Sequence, residues 1–126
     1  MSTALARLQG DDVSAGALLE EALTVSERTG DIFSQAGALA ELGRLARNAG
    51  DLAAAERRFR QVLELREKHG EHRRLTYSLC DLGDVARDHG HHARAQEHYE
   101  RALSRAQQLD DAWGMARALH GLGVLA

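Results

Sequence analysis

Proline is absent from this chain of 126 residues, cysteine occurs once, lysine once, and aromatic residues make up only 4%. Without proline, no ring forces a helix to kink or stop. With Cys80 as the single cysteine, an intrachain disulfide is excluded and a reduced compartment, the cytoplasm, is expected. Phe33, Phe59, Tyr77, Tyr99 and Trp113 are the whole aromatic set, so alanine and aliphatic side chains must do most of the packing. No apolar run approaches the roughly 18 residues that span a bilayer, and the amino end lacks the basic start and apolar stretch of a secretory signal. A membrane role is therefore not expected. Charge of one sign is missing too: the formal net charge is −3 with acids and bases interspersed, which gives no concentrated positive field for a phosphate backbone and argues against nucleic acid. The Arg57-Arg58-x-Arg60 stretch is a local exception, but Glu56, Glu64 and Glu67 lie at helical spacing to neutralise it.

What the chain does have is glycine at a regular beat. Gly10-Asp11, Gly30-Asp31, Gly50-Asp51, Gly70-Glu71 and Gly90-His91 recur every 20 residues, and Asp110-Asp111 continues the series. Each glycine suits the left-handed residue that ends a helix, and the acid after it suits the cap of the next. Between the glycines, apolar residues return at three- and four-residue intervals, as Leu52, Ala55, Phe59, Val62, Leu63 and Leu65 do, the stripe of an amphipathic helix. This spacing predicts helices near 12–29, 31–49, 51–69, 71–89, 91–109 and 111–125, with a stub at 2–9.

A second beat of about 40 residues is laid over the first: Leu-Gly-x-x-Ala begins at Leu42, Leu82 and Leu122. Two helices therefore form one structural unit. The expected fold is all-α, an α-solenoid of antiparallel helix pairs with about seven helices in a single array over 1–126. Its divisions would be a partial unit 1–30, units 31–70 and 71–110, and a terminal half unit 111–126.

These residues resemble the tetratricopeptide repeat (TPR), in which a first helix carries Leu-x-x-Leu-Gly-x-x-Ala and the second carries Ala, an aromatic and Ala. Leu39, Leu42, Gly43 and Ala46 fit the first helix, as do Leu79, Leu82, Gly83 and Ala86. Ala55, Phe59 and Val62 fit the second, as do Ala95, Tyr99 and Ala102 and, less closely, Ala15, Leu19 and Ala22. The resemblance implies a right-handed superhelix in which Gly43, Gly83 and Gly123 let the partner helix approach and Phe59 and Tyr99 wedge between units. The period departs from the common 34 residues. Long units of this kind are similar to those of kinesin light chains, of spindle-orientation adaptors, and of the sensor arrays of large bacterial transcriptional activators that carry an ATPase module. The arginine- and alanine-rich composition sits closest to the last group.

In that family the first helices line a concave groove, and the resemblance carries this surface onto the present chain. With Leu39, Leu42 and Ala46 facing inward, helical spacing turns Phe33, Gly37, Ala40, Arg44, Arg47 and Asn48 to the groove. The next helix contributes Arg73, Tyr77, Cys80, Asp84, Arg87 and Asp88, and the last Trp113, Arg117, His120 and Val124. Tyr77 and Trp113 are the candidate anchors, with packing against a neighbouring helix as the alternative role for each. Arg44, Arg87 and Arg117 suit carboxylates, Asp84 and Asp88 basic side chains. The two-carboxylate clamp of chaperone-binding members would fall on Ala40, Arg44, Asp81, Arg117 and Gly121, where Asp81 would repel the ligand's terminus.

Seven histidines are present, and His89, His91, His92 and His98 crowd one junction. His91 and His98 lie seven residues apart on one helix, about 10 Å, too far to share a metal ion. No metal or cofactor is expected. Cys80 would need His120 as a base to act as a nucleophile, and no glycine-rich phosphate loop is present, so the reading is not an enzyme. Leu119, Leu122, Val124 and Leu125 would leave an apolar surface on the last helix, for which the expected cover is either further chain of a longer protein or a second copy pairing through Leu119, Leu122 and Leu125. The function expected is a non-catalytic scaffold binding a protein or peptide, an interaction or sensor segment of a bacterial regulator. The alternatives are a small-ligand sensor and a structural homodimerisation module.

Overall fold

The computed structural model describes the backbone of residues 3–126 and the side chains of residues 13–126. Every element among these residues is a helix: α1 (Thr3–Thr29), α2 (Ile32–Asn48), α3 (Leu52–Lys68), α4 (His72–Asp88), α5 (His92–Gln108) and α6 (Ala112–Leu125). The expected all-α fold is the observed one, and the boundaries from α2 onward fall within a residue of those read from spacing.

Backbone conformation explains the breaks. Gly50 has φ +83, a left-handed value that costs other residues a Cβ clash, and its amide, with that of Asp51, returns to the carbonyls of Arg47 and Ala46 at 3.0 and 2.9 Å. Asp110, at φ 53, stands in for glycine at the last junction. The acids then open the following helices: the carboxylates of Asp31, Asp51 and Asp111 accept the amides of Ser34, Ala54 and Gly114, each at 3.1 Å. Glu71 and His91, in the same place, make no such bond.

The first dipeptide behaves differently. Helix α1 runs straight through Gly10 and Asp11, so the expected break and separate stub do not exist and six helices are described. The seven α1 residues before Gly10 are too few to sustain a helix of their own, whereas extending α1 adds one hydrogen bond per residue.

Successive helices pack on one another, and α4 also reaches α6. The core holds the residues of both beats: Leu39, Leu42, Leu79 and Leu82 from first helices, and Ala55, Phe59, Val62, Ala95, Tyr99 and Ala102 from second ones. A Cβ on Gly43 would sit 2.6 Å from Phe59 Cε1, and one on Gly83 2.6 Å from Tyr99 Cε1. The Tyr99 ring also lies against Gly121. Gly123, expected to play the part of Gly43 and Gly83, instead faces open space, because α6 is the last helix described and no second helix covers that side.

Helix α1 departs from expectation in the same way. Leu23 and Ser26 are its buried residues, while Ala22 is exposed and Ala15 and Leu19 are only partly covered. Among the described residues, only α2 packs on it substantially. In α6, Leu122 and Leu125 pack against the α4–α5 core, which removes them from the expected free surface; Leu119 and Val124 stay 55% and 53% exposed. Arg58 pairs with Glu20 of α1 at 2.6 Å rather than along its own helix, and Arg60 with Glu56 at 2.8 Å. Among the described residues no helix is long and apolar enough to cross a membrane.

Candidate binding groove

A cavity of about 710 Å³ opens on the side formed by α2, α4 and α6, with α3 at its floor. Its charge is uneven: Arg44, Arg47, Arg66, Arg73, Arg74 and Arg117 line it against Asp81, Asp84 and Asp111. Tyr77 and Trp113 stand at its rim, 37% and 82% exposed. At 82% exposure the Trp113 ring is not packed against a neighbouring helix, so the packing alternative fails. Phe33 lies farther along, 60% exposed, with the Arg74 guanidinium 4.4 Å from its centroid, a cation–π contact.

Most of the arginine charge on the α4 side is already engaged. Asp84, 7% exposed, accepts the Tyr99 hydroxyl on Oδ1 and Arg117 Nη2 on Oδ2. Arg47 and Arg87 approach the same carboxylate at 3.8 Å, Arg87 Nη1 donates to the Tyr99 oxygen at 3.2 Å, and Arg47 Nε donates to Asp88 Oδ2 at 2.6 Å. The network ties α2, α4, α5 and α6 together. Asp84 is thus not a groove acid that selects basic ligands: burial removes it from solvent, and a buried carboxylate must be paired. Burial, with the bond to Asp84, pushes the Tyr99 hydroxyl pKa well up.

The cations left toward the cavity are Arg73, Arg74 and Arg44. Arg44 holds Glu41 one turn before it, both half exposed, and Arg74 reaches Glu71 only at 3.8 Å; such surface pairs hold their members weakly. On the floor, burial raises Asp81 to about 6, opposed by Arg44 and, more weakly, by Arg117 and Arg66. Arg66 donates to Ser78 Oγ at 2.8 Å and to the Arg74 carbonyl at 3.3 Å, while its Nε is buried without a partner.

Of the residues expected in the groove, Arg44, Arg47, Tyr77, Asp84, Trp113 and Arg117 line one cavity. Asn48 and His120 are exposed but outside it, and Arg87 and Asp88 belong to the network instead. Ala40 and Cys80 are buried, at 3% and 0% exposure. Burial pushes the Cys80 thiol up to about 12, which keeps it protonated and a poor nucleophile. Arg66 escaped notice because it sits on a second helix. The signal was there, since Phe59, Val62 and Arg66 fall on one stripe, and a charge on an apolar stripe needs a polar destination. The histidine junction forms a stack, His89 on His91 with centroids 5.2 Å apart, and among the described residues no three His, Cys, Asp or Glu side chains converge on a metal-sized space.

The tetratricopeptide repeat family model matches residues 34–108, which runs from α2 through α5. No curated protein matched the sequence. Among solved structures, this chain is similar to the nearly identical TPR-like repeats of a kinesin light chain candidate from Podospora anserina, with a TM-score of 0.69 at 19% identity. The alignment covers 92% of this chain and 61% of that one, so the present chain spans less than two thirds of that structure, and the likeness concerns the fold.

Proposed function

Because the chain belongs to the tetratricopeptide repeat family, whose arrays serve protein–protein interaction, we propose that its groove binds an extended, acidic segment of a partner protein and performs no chemistry. The observation that carries this reading is the pairing of a Trp113 ring left 82% exposed with a cavity toward which Arg44, Arg73 and Arg74 remain available on a chain whose overall charge is −3. An exposed aromatic anchor beside arginine forks suits an apolar side chain flanked by carboxylates. Asp81 on the floor opposes any carboxylate placed there, so the ligand's acids are expected beside Arg73 and Arg74 rather than on the floor.

The open rim supports a peptide over a small molecule, which would be expected to have an enclosed apolar pocket. The resemblance to bacterial activator arrays, together with the arginine-rich composition, supports a place as an interaction or sensor segment of a bacterial regulator, and the single reduced cysteine suits the cytoplasm. Trp113, the sole tryptophan, supplies the test. Its emission is followed while Glu/Asp-rich peptides bearing one leucine or aromatic residue are added, with Lys-rich counterparts as controls. The acidic set is expected to saturate and the basic set not to, and Arg73→Glu with Arg74→Glu is expected to reverse the preference. Equal response to both sets would sink the proposal.

A further inference from the structure

Asp81 is the cavity's one acid that nothing among the described residues claims. Tyr77, Asp81 and Asp84 stand four and three residues apart on α4 and so share one helix face. In α2, Glu41 pairs with Arg44 three residues on; the same step from Asp81 leads to Asp84, another acid, so the partner within the helix is missing. Asp84 is taken by Tyr99 and Arg117, and Asp111 accepts the Gly114 amide. Among the described residues no group donates a hydrogen bond to Asp81, and burial without a donor holds its carboxyl at about 6. Its oxygens are not sealed in, as the unpaired Glu71 Oε2 is, but open on the cavity floor. Guanidinium groups face it from three other helices: Arg44 of α2, Arg66 of α3 and Arg117 of α6. Arg117 is held by Asp84, whereas Arg66 spends Nη1 on Ser78 and the Arg74 carbonyl and has Nη2 to spare.

The floor therefore offers an unclaimed acceptor and an unclaimed donor, and charge decides what can use both. A carboxylate would satisfy Arg66 but is repelled by Asp81, an ammonium would satisfy Asp81 but meets the guanidinium groups, and an apolar side chain leaves both polar groups unpaired. A primary carboxamide is uncharged and carries an N–H and a carbonyl oxygen side by side on one planar group. A backbone amide does not match it, because the N–H and C=O of a trans peptide point opposite ways. We propose that the groove reads one glutamine or asparagine side chain of the bound segment, its N–H donated to Asp81 and its oxygen accepting from Arg66. This rests on the reading of the groove as a site for an acidic segment and makes Asp81 the residue that sets specificity at one position within it.

Trp113 emission tests this with Glu/Asp-rich peptides that bear one leucine and a glutamine moved stepwise along the sequence, each with Glu, Lys and Leu counterparts at the moved position. A second set repeats the series on a neutral Gly/Ser background. At one position glutamine is expected to bind about tenfold tighter or more than all three counterparts, the penalty each pays for an unpaired or repelled group. Asp81→Ala is expected to remove that preference, and Asp81→Asn, whose amide can donate, to admit the Glu counterpart as well; circular dichroism checks that both fold. Acidic peptides that bind with no gain from glutamine at any position would overturn this inference and leave the acidic reading standing. A glutamine preference equally strong on the neutral background would sink the acidic reading alone, and silence from every peptide would sink both. A preference that survives Asp81→Ala would overturn the assignment to the floor.

Discussion

The Tyr99 hydroxyl of α5 donates to Asp84 Oδ1 of α4, and the other oxygen of that carboxylate takes Arg117 of α6. One ring thereby couples packing to charge. Its face fills the space that Gly83 and Gly121 leave, and its polar end satisfies a buried acid. Forty residues earlier, Phe59 and the half-exposed Arg44 hold the equivalent places, so this polar tie occurs once.

Tyr99→Phe keeps the ring and removes the donor. The expected loss is about 1–3 kcal/mol of unfolding free energy, the cost of a buried acceptor losing a partner. Tyr99→Ala also opens a cavity and is expected to cost about 3–5 kcal/mol. Urea denaturation of the two variants checks the ordering, and a Phe variant as stable as wild type would show that Arg117 alone satisfies Asp84.

Glycine-to-alanine exchange separates the repeats. Gly43→Ala places a methyl group against the Phe59 ring and is expected to destabilise by about 1–3 kcal/mol. Gly123→Ala meets open space in the last turn of α6, where alanine is favoured by at most about 1 kcal/mol. Thermal melts of the two variants should move in opposite directions.

Helix α4 begins without a side-chain cap, and Glu71 Oε2 is buried with no hydrogen-bond partner. Glu71→Asp shortens the side chain to that of Asp31, Asp51 and Asp111, each of which accepts an amide three residues on. A gain of about 0.5–1 kcal/mol is expected, read as a rise in the urea midpoint at unchanged slope.

The Asp81 carboxyl is pushed by burial to about 6, above its ordinary 3.8. Below 3.8 it is protonated in both folded and unfolded chains and costs nothing. As pH rises from there through 6, the unfolded chain ionises more readily, and stability falls by up to about 3 kcal/mol. Asp81→Asn removes that slope. The variant is expected to match wild type at pH 3.5 and exceed it at pH 7.5, and a constant difference across the range would refute the assignment.

Much of the fold was legible along the chain because helix ends are local events. A glycine in the left-handed conformation and an acid accepting the next free amides act within four residues, so the 20-residue beat marked the junctions from Gly30 to Asp111. Inward stripes on α2 through α5 were legible for the same reason, as helical periodicity fixes which side chains share a face. The groove was legible only as a stripe on each helix. Which stripe residues remain available depended on neighbours far away in sequence: Asp84 is claimed by Tyr99 and Arg117, Arg47 by Asp88, and Arg66 enters from a helix assigned to the opposite layer.

The repeat in the amino acids alone determined that this protein is a row of equal helices with small residues where they touch, since hydrogen bonds along the backbone and the 3.6-residue turn need no distant partner. Tertiary structure decided the rest. Gly10 interrupts nothing and Gly123 admits no ring, although each matches its counterparts in sequence, because a glycine becomes a hinge or a contact only when another helix lies beside it. That proximity is a property of the folded stack, where burial and pairing are settled by what surrounds a residue in three dimensions.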